Sequence, residues 1–187
     1  MSVKSILRLG DPTLRRVAEP ASEPTAPDIQ ALIQDLTDTL AEAGGIGIAA
    51  PQIGVSRRVL LFSVPEARAT DDPDDGAWPL TALINPVLEP IGDDRAIAWE
   101  GCLSIPGMRG EIARWQRVRV TGSMADGQPW EAVVAGWRAR VLQHEIDHLD
   151  GVLYIDRLDD PTRFGFTEEV IEAEAAARYD DRQESRA

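Results

Sequence analysis

His144 and His148 stand four residues apart in Gln143-His144-Glu145-Ile146-Asp147-His148, and they are the only two histidines of the 187-residue chain. An α-helix turns once in about 3.6 residues, so positions i and i+4 lie one above the other on one face. Two imidazoles placed this way can grip one metal ion. Glu145, about 100° further round the helical wheel, can handle protons beside it. Cys102 is the single cysteine. Its thiolate would complete a three-ligand set with a fourth position open, the arrangement of catalytic rather than structural sites. Ordinary helices also carry His-Glu-x-x-His, so the stretch alone leaves a metal-free helix open. Any soft-ligand site in this chain must nevertheless use these residues.

The helix that carries the histidines is expected from about Gly136 to Leu149. Trp137, Val141, His144 and His148 share one narrow face, and Leu142, Ile146 and Leu149 occupy roughly the opposite side. A helix apolar on both sides belongs in the middle of a domain. Gly151 stops it. A second helix is expected from Asp28 as cap, with Ile29, Leu32, Ile33, Leu36 and Leu40 at helical spacing and Gly44-Gly45 at its end. Asp11-Pro12 looks like a further helix start. Strands are expected over Arg57–Ser63, Leu80–Leu88, Arg95–Trp99, Met108–Ala113, Arg117–Gly122 and Trp130–Ala135, with Asp126-Gly127 as a hairpin turn. Val152–Ile155 reads as a short strand. Thr167 to about Tyr179 reads as a last helix capped by Thr167.

Two stretches invite other chemistry. Gly45 to Gln52 is too glycine-rich for a regular element and too apolar for an exposed loop. It lacks Gly-Lys-Ser/Thr and a preceding strand, so it is no phosphate loop. Its small residues let a backbone pass close to something else. Glu66 to Trp78 holds four aspartates. It lacks the ligand periodicity of a calcium loop and is expected to be a mobile acidic loop.

The length suits one domain with a sizeable core. A single cysteine excludes an intrachain disulfide. No stretch approaches a membrane span or a signal peptide, so the cytoplasm is the expected location. A net charge of −13 lacks the basic footprint of a general nucleic-acid binder.

Two protease patterns compete for the histidine helix. One needs a third histidine where this chain has Tyr154. The other takes a glutamate about twenty residues on, where Glu168 stands. Cys102 is the softer, stronger ligand for a transition metal.

Three stretches together resemble the peptide deformylases: Gly45 to Gln52 matches Gly-x-Gly-x-Ala-Ala-x-Gln, Glu100 to Ser104 matches Glu-Gly-Cys-x-Ser, and Gln143 to Gly151 matches Gln-His-Glu-x-Asp-His-x-x-Gly. They stand in the family's order, and the similarity reaches from about Ile6 to Leu158. The resemblance implies an α+β fold, with mixed antiparallel sheets wrapped around a central metal-binding helix. It implies a catalytic domain over residues 1–166, followed by an acidic helix and tail over 167–187. It further implies removal of the formyl group from N-formylmethionyl peptides and nascent chains, with release of formate. Cys102, His144 and His148 would hold one divalent metal ion: iron(II) by preference in vivo, with zinc(II), nickel(II) or cobalt(II) as alternatives. Glu145 would be the general base and then acid. Gln52 and the backbone N–H of Leu103 would bind the oxyanion. Gly47 and Gly101 would meet the peptide, and Ile46, Trp137 and Val141 would enclose the methionine side chain.

Family members can dock on the ribosome through a basic C-terminal helix. Here Thr167 to Ala187 holds seven acids and three arginines, which argues against that route. Arg140 is expected to pair with Asp147 on the same helix. Glu100 and Arg109 are expected either to hold the cysteine loop or peptide backbone, or to form ordinary surface pairs. A zinc endopeptidase and a non-catalytic metal-binding or ribosome-associated module are the competing functions.

Overall fold

The computed structural model describes residues 2–174. Ile29, Leu32, Leu36 and Leu40 form the buried stripe of α1 (Pro27–Ala43). Ala26 rather than Asp28 stands at the cap, and Pro27 takes the first helical position, where its missing N–H costs nothing. Asp28 instead places its charge at the positive end of the helix. Gly44 closes α1 at φ 68°, a left-handed conformation that suits glycine. The Asp11-Pro12 start opens only a four-residue 3-10 turn, Pro12–Arg15, with Asp11 accepting from the Thr13 N–H.

The strands are β1 (Gly47–Ala49), β2 (Val59–Val64), β3 (Trp78–Pro90), β4 (Arg95–Cys102), β5 (Ile105–Trp115), β6 (Arg117–Ser123), β7 (Pro129–Ala135) and β8 (Phe164–Phe166). They form a five-stranded sheet in the order β1-β2-β3-β6-β7 and a three-stranded sheet β4-β5-β8, with every ladder antiparallel. β1 corrects the expectation that Gly45 to Gln52 holds no regular element. Gly47, Ile48 and Ala49 pair with Phe62, Leu61 and Leu60, and a 3-10 turn follows at Ala50–Ile53. The Asp126-Gly127 turn joins β6 to β7 as expected, with Gly127 at φ 83°.

β2 is apolar without alternation because both faces of its sheet are covered. Leu61 and Val59 pack with Leu32, Leu36 and Leu40 of α1. Leu60 and Phe62 pack with Ala139, Leu142, Ile146 and Leu149 of α2 (Gly136–Leu149). The apolar side of α2 thus lies on the sheet, and its histidine side faces β4 and β5. Leu142 is fully buried, so truncating it to alanine would cost about 2–5 kcal/mol.

The acidic stretch before β3 is held in place rather than mobile. It forms 3-10 turns at Glu66–Arg68 and Pro73–Asp75. Arg117 pairs with Asp72 at 2.7 Å and also with Asp74. Asp75, only 4% exposed, accepts from the Arg138 N–H at 3.2 Å and so caps the start of α2. A Cβ on Gly136 would lie 2.0 Å from the Asp75 carboxylate, so that position must be glycine. Val152–Ile155 is not a strand. Leu153 donates to the Asp156 carboxylate, and the chain turns in a 3-10 segment, Tyr154–Arg157. Residues 167–174 are helical. The remainder of the helix expected to Tyr179, and the acidic tail, lie outside the described residues.

Candidate active site

Cys102 ends β4 where the ladder to β5 slips between Gly101 and Cys102. Such irregularities re-aim side chains, and this one brings the sulfur to α2. Cys102 Sγ lies 3.2 Å from His148 Nε2, and the ligand atoms of Cys102, His144 and His148 all lie within 4.8 Å of one another. Among the described residues this is the cluster that could hold a metal ion. Glu168 is exposed on the terminal helix and takes no part in it. Position 154 supplies packing instead of a ligand: the Tyr154 ring stacks on His144 with centroids 6.0 Å apart.

His144 and Cys102 are braced from behind, whereas His148 Nδ1 is buried without a hydrogen-bond partner. His144 Nδ1 lies 2.9 Å from Glu100 Oε2, which leaves Nε2 for a metal. Arg114 clasps Glu100 through Nε and Nη2, both at 2.9 Å, and Arg140 reaches it at 2.6 Å. The Ser104 N–H points at Cys102 Sγ from 3.4 Å, and Gln52 Nε2 lies 3.6 Å from it, so two donors fix the position of the sulfur. One cysteine sulfur and two imidazoles, gathered within 4.8 Å of one another, fit a divalent transition metal.

Burial alone would raise the Glu100 carboxyl. Its bonds from Arg114 and His144 outweigh that and hold it far below the usual carboxylate range. Burial lowers His148, and the neighbouring His144 and Arg114 charges add to it, favouring the neutral imidazole that a metal requires. Glu145 is pushed up to about 7, chiefly by burial and against the pull of His144. One of its oxygens, Oε2, is buried without a partner.

A cleft of about 460 Å³ leads to this centre. Ile46, Gly47, Gln52, Gly101, Cys102 and Leu103 line it from the two sheets and their loops. Trp137, Val141, His144 and Glu145 line it from α2, while His148 lies behind, 1% exposed. The residues that the family resemblance assigned to the site are therefore brought to one place, and Glu168 is not among them. Gln52 is fixed there: its Oε1 accepts from the Ala49 N–H at 2.9 Å and its Nε2 donates to Ser104 Oγ at 3.2 Å.

The ion pairs differ from expectation. Arg140 does not pair with Asp147. The two lie seven positions apart on α2, and each finds a closer partner across the fold. Arg140 binds Glu100 and the Ile112 and Ala96 carbonyls, and Asp147 takes Arg114 and Arg157. Glu100 is no surface pair; it is buried and braces the histidine. Arg109 lines the cleft. Sequence reasoning missed Arg114 and Asp75. Arg114 had a faint signal, since it shares strand parity with the inward Ile112. Asp75 had none, because its partner lies 63 residues away.

An α+β fold that buries a thiolate, two imidazoles and a neighbouring carboxylate at the end of a cleft defines a metal-dependent hydrolase. A family profile described as polypeptide deformylase matches residues 3–164. Peptide deformylase 1 of Prochlorococcus marinus is 47% identical, with 100% of both chains covered. An Ehrlichia chaffeensis peptide deformylase solved in complex with actinonin superimposes with a TM-score of 0.80 at 32% identity, covering 95% of this chain and 99% of that one. A class I type b enzyme from Acinetobacter baumannii, solved with Met-Ala-Ser bound, gives 0.76 at 33% identity, covering 84% and 100%. The chain belongs to the polypeptide deformylase family.

Proposed function

We propose that this chain hydrolyses the formyl group from N-formylmethionyl peptides and nascent chains, releasing formate and a free amino terminus. The observation that carries this reading is the convergence of Cys102, His144 and His148 beside buried Glu145 at the end of a peptide-sized cleft. A divalent cation on those three ligands would supply Lewis acidity and an activated water. Iron(II) is the cation we assign in vivo, and zinc(II), nickel(II) and cobalt(II) suit the same donors.

The chain's own residues do the rest. Glu145, buried beside the three ligands with Oε2 unpartnered, is placed to accept a proton from water and pass it to the leaving amine. Gln52 Nε2, held by its own anchored oxygen, offers a hydrogen bond where negative charge develops on the formyl oxygen, and the Leu103 N–H offers a second. β1 is an edge strand, so a peptide can add alongside Gly47, with Gly101 across the cleft. Ile46, Trp137 and Val141 wall the slot for the methionine side chain.

In this reading residues 1–166 carry the chemistry and 167–187 are an appendage. Thr167 at its root still lines the cleft, and Glu174 accepts a hydrogen bond from the Trp99 indole. The work belongs in the cytoplasm near the ribosome. Docking through the acidic segment is not part of the reading, because its charge repels RNA phosphate. The test is formate release from formyl-Met-Ala-Ser by anaerobically prepared protein, with metal analysis. Turnover should scale with bound metal. A folded, metal-loaded protein that releases no formate would overturn the proposal.

A further inference from the structure

A second cavity lies on a different flank of α2 from the histidines and shares no lining residue with the cleft. It holds about 300 Å³, at the lower end of the range for small-molecule sites. α2 supplies one wall, Pro86 to Leu88 of β3 a second, and the β4–β5 ladder around Trp115 a third. The β3 wall is built on strained backbone. Asn85 is, among the described residues, the non-glycine with a positive φ, 51°, and the ladder to β6 slips between Ile84 and Val87. The Asn85 side chain holds it there, accepting from the Ala21 N–H at 2.9 Å and donating to the Ala21 carbonyl at 2.8 Å. Strain that surrounding bonds hold in place clusters at functional sites, and such slips re-aim the residues beside them. Val87, 57% exposed, is one of them.

Most charges of this lining are already matched. Arg58 pairs with Asp150 at 2.7 Å and Arg157 with Asp147 at 2.5 Å. Arg114 is shared between Asp147 and Glu100. Arg95 is left over. Its Cζ lies 4.1 Å from the centroid of the Trp115 ring, its partner across the ladder. Among the described residues Arg95 has no hydrogen bond or ion pair. A guanidinium stacked on an indole keeps the five N–H donors in its plane free for oxygen acceptors. The remaining wall is apolar, through Pro86, Val87, Leu88, Ala113 and Ile146.

We propose that this cavity binds a small organic monocarboxylate with a compact apolar body. The carboxylate meets the Arg95 fork, which matches its two oxygens, and the body lies against Pro86, Val87 and Ile146. A bare inorganic anion would leave the apolar wall wet, and a neutral apolar molecule would leave Arg95 unanswered. A second negative charge would face Asp147 and Asp150, which line the same cavity. Stacking on Trp115 holds Arg95 partly ready, so less side-chain freedom is lost when the ligand arrives. Binding here needs no turnover at the metal, so it is read without the deformylase reaction.

The probe is 2-naphthoate, set against neutral 2-naphthamide and inorganic phosphate. Each is titrated into the zinc-loaded full chain, and the tryptophan indole N–H signals are followed by two-dimensional NMR. Trp115→Phe identifies the Trp115 signal, and Trp137→Phe identifies that of the cleft. Naphthoate should shift the Trp115 signal saturably with a Kd of about 1 mM or tighter, as its roughly 13 non-hydrogen atoms allow. Naphthamide should bind about two- to fivefold more weakly, the worth of an exposed ion pair, and Arg95→Gln should erase that difference. Val87→Asp, which puts a like charge in the wall at an exposed position, should weaken naphthoate by a similar factor of about two to five. Preferences are taken within each protein, so a lower folded fraction cancels. No saturable shift at Trp115, shifts confined to Trp137, equal binding of naphthamide, phosphate binding as tight as naphthoate, or a preference unchanged in Arg95→Gln would each overturn the proposal.

Discussion

Gly47 and Glu145 occupy adjoining space so closely that a Cβ on Gly47 would lie 2.3 Å from Glu145 Oε1. The edge strand and the proton-handling carboxylate are therefore fitted to one another. In Gly47→Ala the cheapest relief is for the carboxylate to swing away, since it is the far end of a flexible side chain. Stability should change little, and bound metal should stay. Turnover should fall by roughly tenfold or more, because misplaced catalytic groups are costly. Steady-state kinetics with metal analysis checks this; unchanged kcat would show that Glu145 does not act from its present position.

Glu145→Gln should keep the fold and the metal and lose at least roughly 10²-fold in rate, the low end for general acid–base catalysis. Side-by-side kcat and metal content decide it. Loss of metal in step with rate would make Glu145 a ligand or a structural group.

Cys102→Ala should lose metal and activity together, because two imidazoles alone hold a divalent ion weakly. Metal stoichiometry after dialysis is the measurement. Retained metal with full activity would end the assignment of Cys102 and revive a site built on Glu168.

Val141→Trp should fill the slot beside Trp137. Turnover of formyl-Met peptides should drop more than that of formyl-Ala peptides, while formyl-norleucine should follow methionine, since both are long, unbranched and apolar. The kcat/KM comparison in both proteins checks it, and equal losses would remove Val141 from the side-chain pocket.

Arg114→Met should leave Glu100 and Asp147 short of a buried partner. Breaking such a pair costs about 3–5 kcal/mol, read as a lower denaturant midpoint. The metal should also leave more readily, because Glu100 then orients His144 less firmly. A stable variant with normal metal retention would show that Arg140 and Arg157 suffice.

The sequence by itself determined what depends on local spacing and on residue types. His144, Glu145 and His148 share one helical turn, so their pattern survives any tertiary arrangement. The stripe of α1, the apolar run of β2 and the Asp126-Gly127 turn follow from backbone periodicity and turn chemistry in the same way. Tertiary structure alone decided the long-range pairings. Asp147 looks along its own helix to Arg140, yet its carboxylate meets Arg114 from β5 and Arg157 from the turn after α2. Asp75 caps a helix that begins 61 positions later, and the loop it belongs to is fixed by that bond rather than mobile. Arg68 faces the cleft only because its turn docks on Trp137. A charged side chain has no periodic signature. Its partner is whichever opposite charge the folded backbone brings within about 4 Å, and chain separation carries no information about that.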